Sequence, residues 1–254
     1  MKRNSILAVL LLLLAGLQTA MAQKMVVTTT DNQVVKYDVN KVKHVTFEEE
    51  APIETIEYVD LGLPSGTLWA TCNVGASKPE EYGDYFAWGE IETKSDYSWS
   101  TCKYCKGSSL TLTKYCTLSN YGYNGFTDNL TELQPEDDAA TANWGSGWQM
   151  PSLDQIKELY NSIYTTTEWT QVNGVNGRKI TSKSNGNSVF LPATGYRYDT
   201  SLIDAGRGSR YWSRSLDAKN SGNAWYLSFG SGYIDWGSFY RCEGRSVRPV
   251  RVQE

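Results

Sequence analysis

Short runs of alternating apolar and polar residues, broken by glycine, asparagine and serine, dominate the chain. A period of two predicts half-buried β-strands. Met25–Thr30 and Gln33–Tyr37 are β-branched runs around Asp31-Asn32, a hairpin signal, and His44–Phe47 is a third short run. Further on, Tyr58–Leu61 reads as a strand and Leu63-Pro-Ser-Gly66 as a turn. Thr67–Asn73 alternates, with Leu68, Ala70 and Cys72 on one face, so Cys72 is expected as a buried free thiol. Gly83–Glu90 predicts a strand whose Tyr85 and Ala87 oppose Phe86 and Trp88. Towards the C-terminus, Arg178–Thr181 and Ser188–Leu191 flank the hairpin signal Asn185-Gly186. Tyr211–Arg214, Asn223–Phe229, Tyr233–Trp236 and Ser246–Val250 complete the strand set, with Trp225, Leu227 and Phe229 as a buried face.

A helical period appears after Pro151. Leu153, Ile156, Leu159, Tyr160 and Ile163 fall on one stripe, and Ser152 with Gln155 makes a capping box. The spacing predicts the longest helix of the domain, and Trp144–Tyr160 as the hub of the core. The alanines of Asp137–Trp144 predict a shorter helix, with Asp137 and Asp138 as acids in a solvated first turn. Two adjacent acids could help bind a structural calcium, but calcium takes roughly six to eight oxygen ligands, so the pair alone does not predict one.

Residues 91–135 carry no sustained period, and so long a stretch in a compact domain is expected to be functional or tied down. Lys103-Tyr-Cys105 and Lys114-Tyr-Cys116 form a local repeat. A fold at Gly107–Leu112 would set the two cysteines opposite one another, which predicts a Cys105–Cys116 disulfide. Closing that loop contributes about 2–3 kcal/mol by chain entropy. Cys102-Lys-Tyr-Cys105 also matches a Cys-x-x-Cys pattern. Redox pairs of this kind open a helix, whereas Lys106-Gly-Ser-Ser opens a turn, and zinc takes four ligands where three cysteines lie nearby.

Composition then narrows the function classes. Lys2 and Arg3, the apolar run Ile6–Leu17 and Ala20-Met21-Ala22 predict a signal peptide over residues 1–22. The run is short for a membrane span, and no cysteine follows it for a lipid anchor, so an exported chain without a transmembrane anchor is expected, periplasmic, surface-bound or secreted. Residues 23–50 read as a small β preamble that runs into the acidic linker Glu48–Pro52, and residues 57–252 as the main domain. The net charge is −4 without a lysine-arginine cluster, which excludes a nucleic-acid partner. His44 is the single histidine, so Ser-His-Asp, Cys-His and His-zinc chemistry are excluded from the main domain. Nine Trp and 17 Tyr against six Phe favour aromatics that carry a polar handle.

Several blocks resemble a known family. They are Tyr58-Val-Asp-Leu-Gly-Leu-Pro-Ser-Gly-Thr-Leu-Trp-Ala-Thr-Cys-Asn-Val-Gly-Ala76, Glu81-Tyr-Gly-Asp-Tyr-Phe-Ala-Trp-Gly-Glu90, Ala140-Thr-Ala-Asn-Trp-Gly145, Trp148-Gln-Met-Pro-Ser152, Phe190-Leu-Pro-Ala-Thr-Gly-Tyr-Arg197, Tyr211-Trp-Ser213 and Ser246-Val-Arg-Pro-Val250. In this order they are similar to the major paralogous domain family, first described in Fibrobacter and abundant in exported Bacteroidetes proteins. The resemblance implies an α+β, C-type-lectin-like fold related to the sulfatase-modifying (formylglycine-generating) domain, with two helices, short twisted antiparallel sheets and a long loop excursion. It implies no common activity. The enzymes of the wider fold resemble one another in a copper-binding cysteine pair near the C-terminal part of the domain, where this chain has Cys242 alone.

These readings converge on an exported, non-catalytic binding module for a glycan or a cell-surface protein. The excursion offers Tyr97, Trp99, Tyr104, Tyr121, Tyr123, Asn124 and Asp128 as the binding residues. An assembly component without a small ligand is the alternative. An enzyme would need two carboxyls about 5–10 Å apart in one cleft, drawn from Glu90, Glu92, Asp199, Asp204, Asp235 and Glu243. No catalytic residue, cofactor or metal ligand is assigned.

Overall fold

The computed structural model describes residues 24–28, 34–43 and 56–252. The expected signal peptide, the hairpin tip Asp31-Asn32, the run His44–Phe47 and the linker Glu48–Pro52 lie outside the described residues. The chain divides into two compact units between residues 54 and 55. In the first, β1 (Lys24–Thr28) pairs antiparallel with β2 (Val34–Asp38), Val26 opposite Lys36. That is the expected hairpin pairing.

The second unit is mixed α and β. It begins with β3 (Tyr58–Asp60) and β4 (Thr67–Ala70), joined by a turn in which the Gly66 N–H donates to the Leu63 carbonyl at 2.9 Å. Both faces of β4 are buried, Trp69 as fully as Leu68, so its alternation separates two interiors rather than core from water. Cys72 is a buried free thiol. Tyr85 and Ala87 pack with Tyr97, while Phe86 and Trp88 enter a different cluster, as the alternation requires. Gly83–Glu90, however, is not a strand: a single antiparallel bridge joins Phe86 to Arg245. Its other neighbours are held by isolated bonds, because the chain on either side turns away.

Two short helices follow, α1 (Ala139–Trp144) and α2 (Leu153–Leu159). The Ser152–Gln155 capping box forms as the sequence requires. The helix stops before the end of the apolar stripe, and Ile163 is 71% exposed. Three consecutive threonines from Thr165 begin β5 (Thr165–Val172), and β-branched residues lose rotamer freedom in a helix. β5 pairs with β6 (Val175–Ser182) through Asn173-Gly174, both at positive φ as a tight two-residue hairpin demands. β6 pairs in turn with β7 (Ser188–Pro192) across the expected Asn185-Gly186. The hairpin β8 (Tyr196–Tyr198) and β9 (Ser201–Ile203) leads to the meander β10 (Gly208–Leu216), β11 (Asn223–Gly230) and β12 (Ile234–Tyr240). Finally β13 (Val250–Val252) pairs with β4, completing the sheet β13-β4-β3.

The hub is not Trp144–Tyr160. It is Arg241–Val250, ten residues that are all buried. The Trp88 N–H donates to the Arg241 carbonyl (2.9 Å), Phe86 and Arg245 exchange bonds at 3.0 Å, and Arg197 and Gly244 do so at 2.7 and 2.9 Å. The N–H groups of Trp212, Val74 and Ala70 then donate to the carbonyls of Ser246, Val247 and Pro249. Val250 belongs to the cluster that contains Ile156, Leu159, Leu191 and Phe229, and Val247 to the one that contains Trp88, Met150 and Trp212. One irregular segment therefore stitches both cores. Burying each large apolar side chain contributes about 1.5–3 kcal/mol.

That segment carries three buried arginines. Arg248 donates from Nε to the Asn73 Oδ1 (2.8 Å) and from Nη1 to the Ala70 and Thr71 carbonyls. Arg245 pairs with the buried Glu243 at 2.7 Å and lies over the rings of Trp212 and Tyr226. Burial pushes its guanidinium down to about 10, and the Glu243 carboxylate opposes that. Arg241 donates to the carbonyls of Tyr115 (2.9 Å) and Lys114 (2.8 Å), which fastens the excursion to the core.

Candidate functional site

The excursion is tied down by polar contacts rather than by a disulfide. Asp137 is buried and accepts from the Tyr104 and Tyr115 hydroxyls and from Lys114 Nζ (2.6 Å) and Lys103 Nζ (3.2 Å). Burial works against its charge, but these donors outweigh it and hold the carboxyl below its ordinary value. Asp138 caps α1 by accepting from the Ala140 and Thr141 N–H groups, and accepts the Met150 N–H as well. Burial pushes its carboxyl above the ordinary value, against those N–H bonds. The expected solvated helix start is thus corrected: both acids are interior anchors.

The seven candidate binding residues divide. Tyr97 is 1% exposed, and its hydroxyl donates to the Tyr85 carbonyl at 2.6 Å. Asp128 accepts from the N–H groups of Tyr115, Cys116 and Leu130, so its carboxylate holds the loop. Tyr104 is committed to Asp137. Trp99 and Tyr121 pack against a cysteine cluster, half-buried. Tyr123, 45% exposed, and Asn124 remain at the surface in a turn where Asn124 has φ +51. The fold does not gather these residues into one binding face.

The predicted Cys105–Cys116 bridge is also corrected, for all five cysteines are free thiols. The turn closes earlier than the repeat suggests. The Lys106 N–H donates to the Thr111 carbonyl (2.9 Å), so Cys105 sits opposite Leu112 and Cys116 lies beyond the pairing. Instead, Cys102, Cys105, Cys116 and Cys242 share one buried cluster. Cys242 is distant in sequence, so no local spacing places it beside the other three. Among the described residues, no group of three or more His, Cys, Asp or Glu side chains is arranged to hold a metal ion. The thiols turn to carbonyls instead, Cys105 to Trp99 at 3.1 Å and Cys116 to Leu118 at 3.2 Å.

Of the six acids considered for an enzyme, Glu90 and Glu92 line one cleft. Glu90 is already paired with Lys94 at 2.8 Å and accepts the Lys103 N–H. Glu243 is committed to Arg245, and Asp235 is exposed on β12.

A second surface has the features that the excursion lacks. Between β9 and β10 the chain turns sharply at Asp204–Gly208. Asp204 and Gly206 take positive φ, and the Asp204 carbonyl accepts from both the Arg207 and Gly208 N–H groups. At Gly195, φ +69, a Cβ would lie 2.1 Å from the Ile203 carbonyl oxygen, so the β8–β9 hairpin can press against this turn only through glycine. The result is a cleft of about 220 Å³ with Tyr196 and Tyr233 as aromatic walls and Ser209 in its lining. Asp204, Arg207 and Arg210 supply charge. The Arg210 guanidinium stacks 3.7 Å from the Tyr196 ring centre and lies 3.6 Å from Glu243, so it is preset by its neighbours. Arg207 is exposed, and Tyr233 is 56% exposed. The cleft is smaller than the ~300–1,000 Å³ of drug-sized sites, so it suits a single ring-sized group.

Asp204 was singled out in the sequence as a candidate acid. Tyr196, Arg207, Arg210 and Tyr233 were not, because they come from two separate strands and two turns. Comparison with known proteins gives no matching family model, no matching curated protein and no matching solved structure. The site is therefore read from its own chemistry.

Proposed function

We propose that this is an exported, non-catalytic binding module that recognises an acidic sugar residue at the tip of a glycan. The carrying observation is the cleft between Tyr196 and Tyr233, with the exposed Arg207 beside Asp204 and with Arg210 held by Glu243. Tyrosine faces pack on the apolar C–H face of a pyranose, a guanidinium pairs a sugar carboxylate in a fork, and Asp204 takes hydroxyls. The leader-like N-terminus and the resemblance to the major paralogous domain family support the same reading.

The test is a glycan array of residues 23–254, followed by titration of the best ligand. Acidic glycans bind in preference to their neutral counterparts. Arg207→Ala weakens them about tenfold or more, the loss of one charge-assisted hydrogen bond, with the melting temperature unchanged. Tyr233→Ala weakens both classes. An array on which acidic glycans bind no better than neutral ones sinks the proposal.

The assembly reading has its own support. β12 pairs with β11 alone among the described strands, and Trp236, Phe239 and Tyr240 are exposed on it. An outer strand with exposed aromatics is a template for pairing with another chain. Concentration-dependent association in sedimentation, removed by Phe239→Lys, would favour it.

A further inference from the structure

The pairing of β10 with β11 breaks near the end of β10, and a groove opens there. Trp212 lies opposite Tyr226 and Leu216 opposite Ala224, so β10 carries extra residues between those two pairs. Extra residues of this kind bend a strand and re-aim its side chains. Residues 213–215 find other partners. The Arg214 N–H donates to the Pro151 carbonyl at 2.8 Å, and the Arg214 carbonyl accepts the Leu133 N–H at 3.0 Å. The Ser215 hydroxyl accepts the Leu153 N–H and donates to Glu132 Oε1, both at 3.1 Å. The start of α2 and the end of the excursion are thus fastened to the same stretch of β10, and the groove that they line holds about 440 Å³.

Its aromatic wall is Trp225, half-buried. Trp236 packs against Trp225 in a T-shaped pair, ring centres 5.1 Å apart, and Lys157 Nζ lies 4.5 Å from the Trp236 ring centre. The indole is therefore held in place before any ligand arrives. Arg214 is restrained through Nε, which donates to Glu132 Oε2 at 2.7 Å, while its two terminal nitrogens have no hydrogen-bond partner among the described residues. Asp154 is exposed in the first turn of α2, and its carboxylate has no ion-pair partner among the described residues. Charge then selects the ligand. Glu132 and Asp154 repel an anion, and Arg214 repels an ammonium group. A neutral molecule with several hydroxyls meets neither penalty, because each hydroxyl both donates and accepts.

We propose that this groove is a second binding site, for a neutral sugar residue. The apolar C–H face of the ring packs on Trp225, one or two hydroxyls donate to the Asp154 carboxylate, and another accepts from the free nitrogens of Arg214. The volume falls within the ~300–1,000 Å³ of small-molecule sites, which leaves room for one ring and part of a second. Two carboxylates against one guanidinium make the lining acidic on balance, so an acidic sugar, the ligand proposed for the Tyr196–Tyr233 cleft, is disfavoured here. The two sites are independent.

The probes are the methyl glycosides of glucose, galactose, mannose and xylose. Each is titrated into the ¹⁵N-labelled full chain while the indole N–H resonance of Trp225, identified by its loss in Trp225→Phe, is followed. At least one glycoside shifts that resonance and saturates. Asp154→Ala, at an exposed position, weakens the affinity about tenfold with the melting temperature unchanged, the loss of a charge-assisted hydrogen bond. Arg207→Ala leaves the affinity unchanged, so failure here and failure of the acidic-sugar reading are separate outcomes. No shift with any of the four, a shift that Asp154→Ala leaves intact, or a stronger response to methyl glucuronide or to methylammonium would overturn the proposal.

Discussion

Glu243 and Arg245 are two residues apart, and both are interior. The Arg245 guanidinium leaves Nε and Nη1 without hydrogen-bond partners and lays its face over Trp212 and Tyr226 instead. Glu243→Ala would strand that charge in a dry site, at a cost of about 3–5 kcal/mol. The urea midpoint of the variant is expected to fall accordingly, and a change under 1 kcal/mol would show that water reaches Arg245 and compensates. None of this was legible beforehand. Arginine is ordinarily a surface residue, and Arg241, Arg245 and Arg248 fall at the helical spacing i, i+4, i+7 in a segment that forms no helix. Their burial depends on carbonyls and rings supplied by distant parts of the chain, such as Ala70, Tyr115 and Trp212.

The elements that the sequence predicted best were those set by local chemistry. The capping box reads directly from Ser152 and Gln155, because its bonds close within four residues. Ser152→Ala is expected to cost about 0.5–2 kcal/mol, seen as a lower melting temperature and faster exchange of the α2 amides. An unchanged melting temperature would mean that the packing of Ile156 and Leu159 suffices without the cap. The Asn185-Gly186 hairpin is legible for the same local reason. Asn173-Gly174 carries the same signal between β5 and β6 and was passed over, because the polar β5 has no strong alternation to flank it. Where an element's end depends on competition between neighbours, the stripe misleads. Ile163 fits the helical spacing, yet the chain has already begun to turn towards β5.

At the scale of the whole molecule, the division between residues 54 and 55 separates a unit whose described strands form one hairpin from a unit with its own core. A chain that begins at Thr55 is expected to unfold cooperatively with the urea midpoint and slope of the full protein. A lower midpoint would show that the preamble contributes to the stability of the larger unit. Among the described residues, no helix is long and apolar enough to cross a membrane. By itself the sequence determined the strand-rich character, the two short helices, the buried state of Cys72 and several turns, since each depends on period, capping or turn chemistry within a few residues. The tertiary structure alone decided that Arg241–Val250 is the hub, that Cys242 joins Cys102 and Cys105, and that Tyr196 and Tyr233 wall one cleft. Those juxtapositions depend on hydrogen bonds and packing between residues far apart in the chain, which sequence spacing does not record.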